Sequence, residues 1–113
     1  MISDAKYLND IEKEALAQIE NRISARFGVW KYILFGSKAR GDFRQDSDID
    51  LLIVTDRKLT WREKDAIISN VYEVNLLFGT LYTAQIVIKD DWEQGRWTCL
   101  PLKQSIDKDG ILV

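Results

Sequence analysis

Apolar residues recur every three or four positions through the first part of the chain. Leu8, Ile11, Ala15, Ile19, Ile23 and Phe27 fall on one face with charges between them, which predicts an amphipathic helix over about residues 3–27. Gly28 follows where a helix C-cap glycine belongs. The period then changes. Trp30 to Phe35 is a short aromatic and β-branched run closed by Gly36, which reads as a strand. Asp48 to Thr55 reads as a second, with Ile49, Leu51 and Ile53 on one face and Leu52 and Val54 on the other. A strand apolar on both faces is expected to be central and covered twice. Between them, Ser37 to Phe43 forms a short helix or a tight loop, with Gly41 marking a turn.

The second half repeats the alternation. Thr60 and Glu63 fit a capping box, and Ile67, Val71, Val74 and Phe78 then recur at helical spacing until Gly79. Leu81 to Ile88 is a third strand by its β-branched content. Asp90 with Glu93 suggests another capping box, opening a short helix to about Arg96, and a last helical stretch runs from about Leu102 to Asp109 before Gly110. Helix, strand, strand, helix, strand, helix predicts an α+β (α/β-like) fold, a small β-sheet with helices packed on it. No repeat or linker interrupts the 113 residues, so a single domain over 1–113 is expected.

Composition narrows the chemistry. Sixteen basic against eighteen acidic residues give a net charge of -2, so no bulk nucleic-acid binding is expected. The lone cysteine, Cys99, fits a reducing compartment, and neither a signal segment nor an apolar run near the ~20 residues of a membrane span is present, so a cytoplasmic, non-membrane protein is expected. There is no histidine. The commonest general base is therefore missing, and any catalysis must run on carboxylates, a bound metal, hydroxyls or backbone groups.

The candidate chemistry lies between the first two strands. Asp48 and Asp50 are two apart on a strand, so their carboxylates emerge on one side, about 6.5 to 7 Å apart along the chain. That spacing suits Mg²⁺, which takes one or two protein carboxylates plus water and substrate phosphates. Gly36 lets a backbone approach a phosphate, and the Ser37 hydroxyl can donate to it. Lys38, Arg40 and Arg44 could add positive charge beside a triphosphate. Each piece has a plainer reading. Gly-Ser is commonly just a turn, Asp-x-Asp a solvated strand end, Asp42 and Asp46 turn residues bonding their own backbone, and Arg40 a structural partner of Asp46. Their conjunction, strand, Gly36-Ser37, ten residues, then Asp48-Ile49-Asp50 entering an apolar strand, argues for a site.

Gly36-Ser37-Lys38-Ala39-Arg40-Gly41-Asp42 followed by Asp46-Ser47-Asp48-Ile49-Asp50-Leu51 closely resembles the signature of the minimal nucleotidyltransferases, within the DNA polymerase β-like nucleotidyltransferase superfamily. The resemblance implies a mixed sheet flanked by helices, Mg²⁺ as cofactor, and transfer of a nucleoside monophosphate from an NTP, with ATP the expected donor, to a protein or small-molecule acceptor with release of pyrophosphate. By matching positions, Gly36 and Ser37, with Arg40 and Ser47, would hold the nucleotide, and the catalytic Asp48 and Asp50 would bind the metals. Active members generally carry a third carboxylate on a following strand. Here that strand offers Gln85, which cannot act as a base; Asp90 and Asp91 lie beyond it, and Glu73 is another candidate. The resemblance also implies a HEPN-type protein partner, as in antitoxins of that pairing, so the alternative is a weakly active or inactive NTP-binding, antitoxin-like subunit that neutralises such a partner. Of the four tryptophans, Trp30 is expected in the core, while Trp61, Trp92 and Trp97 suit either an interface, including a homo-oligomer, or cover for the sheet.

Overall fold

The structure, a computed structural model, describes residues 1–113, with every side chain but that of Arg96. Its elements are α1 (Asp10–Ser24), β1 (Val29–Phe35), α2 (Ser37–Arg40), β2 (Ile49–Thr55), α3 (Trp61–Phe78), β3 (Tyr82–Ile88), α4 (Lys89–Gln94), α5 (Pro101–Asp109) and β4 (Ile111–Leu112), with 3-10 turns at Ile2–Asp4 and Arg96–Cys99. The strands form one mixed sheet in the order β3-β2-β1-β4. β1 runs antiparallel to both β2 and β4, and β2 runs parallel to β3 through the crossover helix α3. The fold is α+β, as the alternation of periods predicts.

β2 is central, and both of its faces are covered. Ile49, Leu51 and Ile53 pack under α1 and α3 together with Leu16, Ile19, Ile67 and Val74. Leu52 and Val54 face the other way, against Ile33, Phe35, Val87, Trp92 and Ile106. Leu51, Leu52, Ile53 and Val54 are fully buried, each contributing roughly 1.5–3 kcal/mol by leaving water. The second face is covered by α4, the turn after it, and α5. The candidate residues lie at the start of β2, where Asp48 is exposed and Asp50 half-buried.

Several boundaries depart from the hydrophobic pattern, each for a local reason. α1 starts at Asp10, not near residue 3, because Asn9 caps it: the Asn9 side chain accepts from the Glu12 amide at 2.8 Å and Glu12 accepts from the Asn9 amide at 2.9 Å. It ends at Ser24 with Ala25 as its cap, so Gly28 is not a C-cap; its carbonyl instead accepts from the Asp56 amide. Ile11 is 55% exposed while Leu16 takes its place in the core. The expected Asp90–Glu93 box does not form: α4 begins at Lys89 on Ile88, with no side-chain cap. The Thr60–Glu63 box does form, and Gly79 closes α3 in the left-handed region. Of the two alternatives for the tryptophans, Trp92 takes that of cover, buried under the second face, whereas Trp61 is 72% exposed. Trp30 is half-buried, with the Lys31 and Lys89 ammonium groups over its ring, rather than in the core. No helix among the described residues is long and apolar enough to cross a membrane.

Candidate functional site

β1 delivers Phe35 opposite Asp50 of β2, so the residue that follows β1 meets the second aspartate. That residue is Gly36, at a φ of 77°, and a β-carbon built on it would collide with the Asp50 carboxylate. Glycine is required here twice over, by the backbone conformation and by the carboxylate packed on its Cα. Ser37 then opens α2. The first amides of a helix lack carbonyl partners within it, which leaves the Ser37 and Lys38 amides without a partner inside α2.

Asp50 is held from the other side as well. Its register partner on the parallel strand is Thr83, whose hydroxyl donates to the carboxylate at 3.1 Å. Asp48 is exposed just before β2 begins, and it contributes to the wall of a pocket with Thr83. Asp48, Asp50 and the Thr83 hydroxyl are hard oxygen donors, with Gly36 clearing the space beside them. This donor chemistry fits Mg²⁺, which asks for a few protein oxygens and leaves the remaining positions to water and phosphate.

Gly36, Ser37, Asp48 and Asp50 are thus brought to one end of the sheet. The remaining polar residues of the segment are engaged otherwise. Lys38 is buried: its ammonium lies 3.1 Å from Glu12 and 4.0 Å from the Phe43 ring centroid, tying α2 to α1. Arg40 is exposed and pairs with Asp42 at 3.3 Å, not with Asp46. The Ser47 hydroxyl accepts from the Arg44 amide at 2.8 Å, so Ser47, rather than Asp46, makes the turn before β2. Gly41, at a φ of 96°, packs against the Tyr7 ring.

The third carboxylate is absent among the described residues, where no three acidic, histidine or cysteine side chains cluster. Gln85 pairs with Leu52, two positions along from Asp50, and is exposed on the same face. Glu73 is drawn to Arg22 at 2.8 Å, across the contact between α1 and α3. Thr83, which the sequence pattern passes over, is the residue beside Asp50. The only signal for it is register: it stands in the strand where a parallel partner of Asp50 would.

A profile of the nucleotidyltransferase domain matches residues 16–109. Two candidate protein adenylyltransferases of Methanocaldococcus jannaschii are similar in sequence. One is 45% identical over 47 residues, covering 40% of this chain and 47% of that protein. The other is 39% identical over 59 residues, covering 52% and 60%. The chain therefore matches about half the length of these relatives. The fold is similar to that of a candidate nucleotidyltransferase from Sulfolobus solfataricus, with a TM-score of 0.57 and 19% identity over 88% of this chain and 76% of that one. It is similar also to a chain of a toxin–antitoxin crystal structure with AMP-PNP, with a TM-score of 0.55 and 14% identity over 88% and 69%. At these identities the two structures speak to fold.

Proposed function

This chain belongs to the nucleotidyltransferase domain family, and on that premise we propose that it binds an NTP with Mg²⁺ and transfers the nucleoside monophosphate to a protein or small-molecule acceptor. ATP is the proposed donor and a protein the favoured acceptor. The names of the Methanocaldococcus relatives support both choices, and the toxin–antitoxin neighbour with AMP-PNP supports the first. The observation that carries the reading is the seat of the Asp50 carboxylate on the Cα of Gly36. It brings the glycine-serine turn and the proposed metal-binding carboxylate into contact at one point.

In this reading the amides and hydroxyl at Gly36-Ser37 hold the triphosphate, and Asp48 and Asp50 hold the metal, with Thr83 fixing the orientation of Asp50. Mg²⁺ bound there supplies charge neutralisation at the phosphates. Arg40 and Ser47 complete the proposed nucleotide-binding set; Arg40 would have to leave Asp42 to reach a phosphate. The acceptor oxygen bonds to the α-phosphorus as the bond from that phosphorus to the bridging oxygen breaks, pyrophosphate departs with the electron pair, and the acceptor proton passes to water. Positioning and charge stabilisation carry most of such a reaction, which suits a chain without histidine.

A second reading rests on Thr83 and Gln85 standing where an acid would complete the site: a weakly active, antitoxin-like subunit that binds NTP and neutralises a HEPN-type partner by contact. One experiment separates them. Wild type and Asp48→Ala/Asp50→Ala are incubated with labelled ATP and Mg²⁺, with and without the HEPN-type partner, and Mg·ATP binding is measured by calorimetry. Label transfer lost in the double variant supports the enzyme. Binding without transfer supports the second reading, and equal Mg·ATP affinity in both proteins refutes the site.

A further inference from the structure

A cavity of about 300 Å³ opens beside Asp48, between α3 and the start of β3. Ile68, Val71, Tyr72, Leu81 and Ala84 give it apolar walls, and Asp48 is its one charged lining residue. β3 is an edge strand: β2 pairs with one side of it, and no described strand pairs with the other. Next to that open edge α3 exposes Tyr72, 66% accessible, and the chain leading into β3 exposes Leu81, 48% accessible. Unpaired backbone donors and acceptors beside an apolar pocket are the features by which an extended segment is bound through strand addition.

The position of the cavity relative to the carboxylates says what it receives. Gly36 and Ser37 continue from β1, on one side of β2; β3 and the cavity lie on the other. A triphosphate held at Gly36-Ser37 places its departing end on the β1 side. In-line displacement then brings the attacking oxygen from the opposite, β3 side. Away from Asp48 the pocket carries no charge, and its walls suit an uncharged, apolar group.

We propose that this cavity and the free edge of β3 form the acceptor subsite, which takes an extended polypeptide segment with an apolar side chain next to a hydroxyl residue. The proposal rests on the transferase reading above and adds where and how its polypeptide acceptor is held. The segment pairs with the outer edge of β3, its apolar side chain enters the cavity against Tyr72 and Ala84, and the neighbouring hydroxyl comes to Asp48. The hydroxyl oxygen then attacks the α-phosphorus, with the bond changes already given.

The test is binding, read without nucleotide or metal. The probe is an end-capped heptapeptide with a central serine between two valines, titrated in the millimolar range and followed by methyl NMR shifts. Shifts confined to Val71, Leu81 and Ala84 are expected, and Tyr72→Arg should weaken binding about tenfold. Leu76→Arg, at a still more exposed position outside the cavity, should leave binding unchanged. A peptide N-methylated on its strand-pairing amides should also bind about tenfold more weakly, because it keeps the side chains and loses the backbone bonds. No shift at any concentration in a protein that binds Mg·ATP overturns this proposal and leaves the transferase reading standing. Failure to bind Mg·ATP with the peptide still held overturns that reading instead. Two results assign the cavity elsewhere and also overturn the proposal. One is displacement of the peptide by AMP-PNP with Mg²⁺, which gives it to the nucleotide base. The other is a dimer in sedimentation that Tyr72→Arg dissociates, which gives the edge to a second copy.

Discussion

The Asp50 carboxylate lies against the Cα of Gly36, in space that a β-carbon at position 36 would occupy. The contact follows from antiparallel register: Phe35 is opposite Asp50, and the turn after Phe35 carries the chain across the end of β2. Gly36→Ala therefore combines a left-handed backbone with a steric conflict. Such strain costs of order 1–3 kcal/mol, and relief requires Asp50 to swing away. The expected outcome is a modest fall in melting temperature and a loss of Mg·ATP affinity larger than the stability change explains. Calorimetric binding near wild-type strength in the folded variant would show that the contact does not serve the site.

Thr83 sets a second expectation. Its hydroxyl is 3.1 Å from Asp50 and the two residues are register partners on neighbouring strands, which lie roughly 4.7–4.9 Å apart. Thr83→Asp would put a third acid beside the first two. Without metal, like charges so close raise one another's pKa and destabilise the fold, whereas a divalent cation removes the repulsion. The variant should melt lower than wild type in EDTA and recover with Mg²⁺, and its label-transfer rate should rise. Gln85→Asp, level with Leu52, should show a smaller metal-dependent recovery. Equal behaviour of the two variants would contradict the register argument.

What the sequence discloses and what it hides divide along the range of the interactions involved. The two faces of β2, the Thr60 cap and the Gly79 stop depend on neighbours a few residues apart and can be read from spacing, while Gly36-Ser37 meets Asp50 through the pairing of two strands joined by a short connection. Thr83 cannot be read from spacing, because its place beside Asp50 depends on a parallel pairing across a whole crossover helix. Lys38 looks like a phosphate ligand until the fold brings Glu12, 26 residues away, to its ammonium. Trp92 suits an interface or a cover for the sheet equally until the fold packs it with Ile106 of α5. β4, with two residues, is too short to show alternation.

Lys38 gives a prediction that separates structure from binding. The Lys38–Glu12 pair is almost wholly buried, at 7% and 13% side-chain exposure. Removing one partner of a buried pair leaves an uncompensated charge, commonly a loss of about 3–5 kcal/mol. Lys38→Met keeps the packing against Phe43 and should lower stability in urea titrations toward that range, while the protein that remains folded keeps its Mg·ATP affinity. Lys38→Met with Glu12→Gln should recover most of the loss. A variant that folds as well as wild type but no longer binds Mg·ATP would return Lys38 to the phosphates.

Glu20 makes stability depend on pH. It lies on α1, half-buried, and one of its carboxylate oxygens is buried without a hydrogen-bond partner. Burial raises its pKa from 4.5 to about 7. A carboxyl whose folded pKa exceeds its unfolded one binds the proton more tightly in the native state, so its contribution is fully present below the unfolded value. That contribution is lost as pH rises toward and through the folded value. The chain should therefore lose stability between about pH 4.5 and 7 from this group. Glu20→Gln, uncharged throughout, should lack that decline and exceed wild type at about pH 8 by on the order of 1 kcal/mol after allowance for solvent screening. Urea unfolding of both proteins across the window measures the difference directly. Parallel curves would mean that Glu20 reaches water in the native state and carries no such strain.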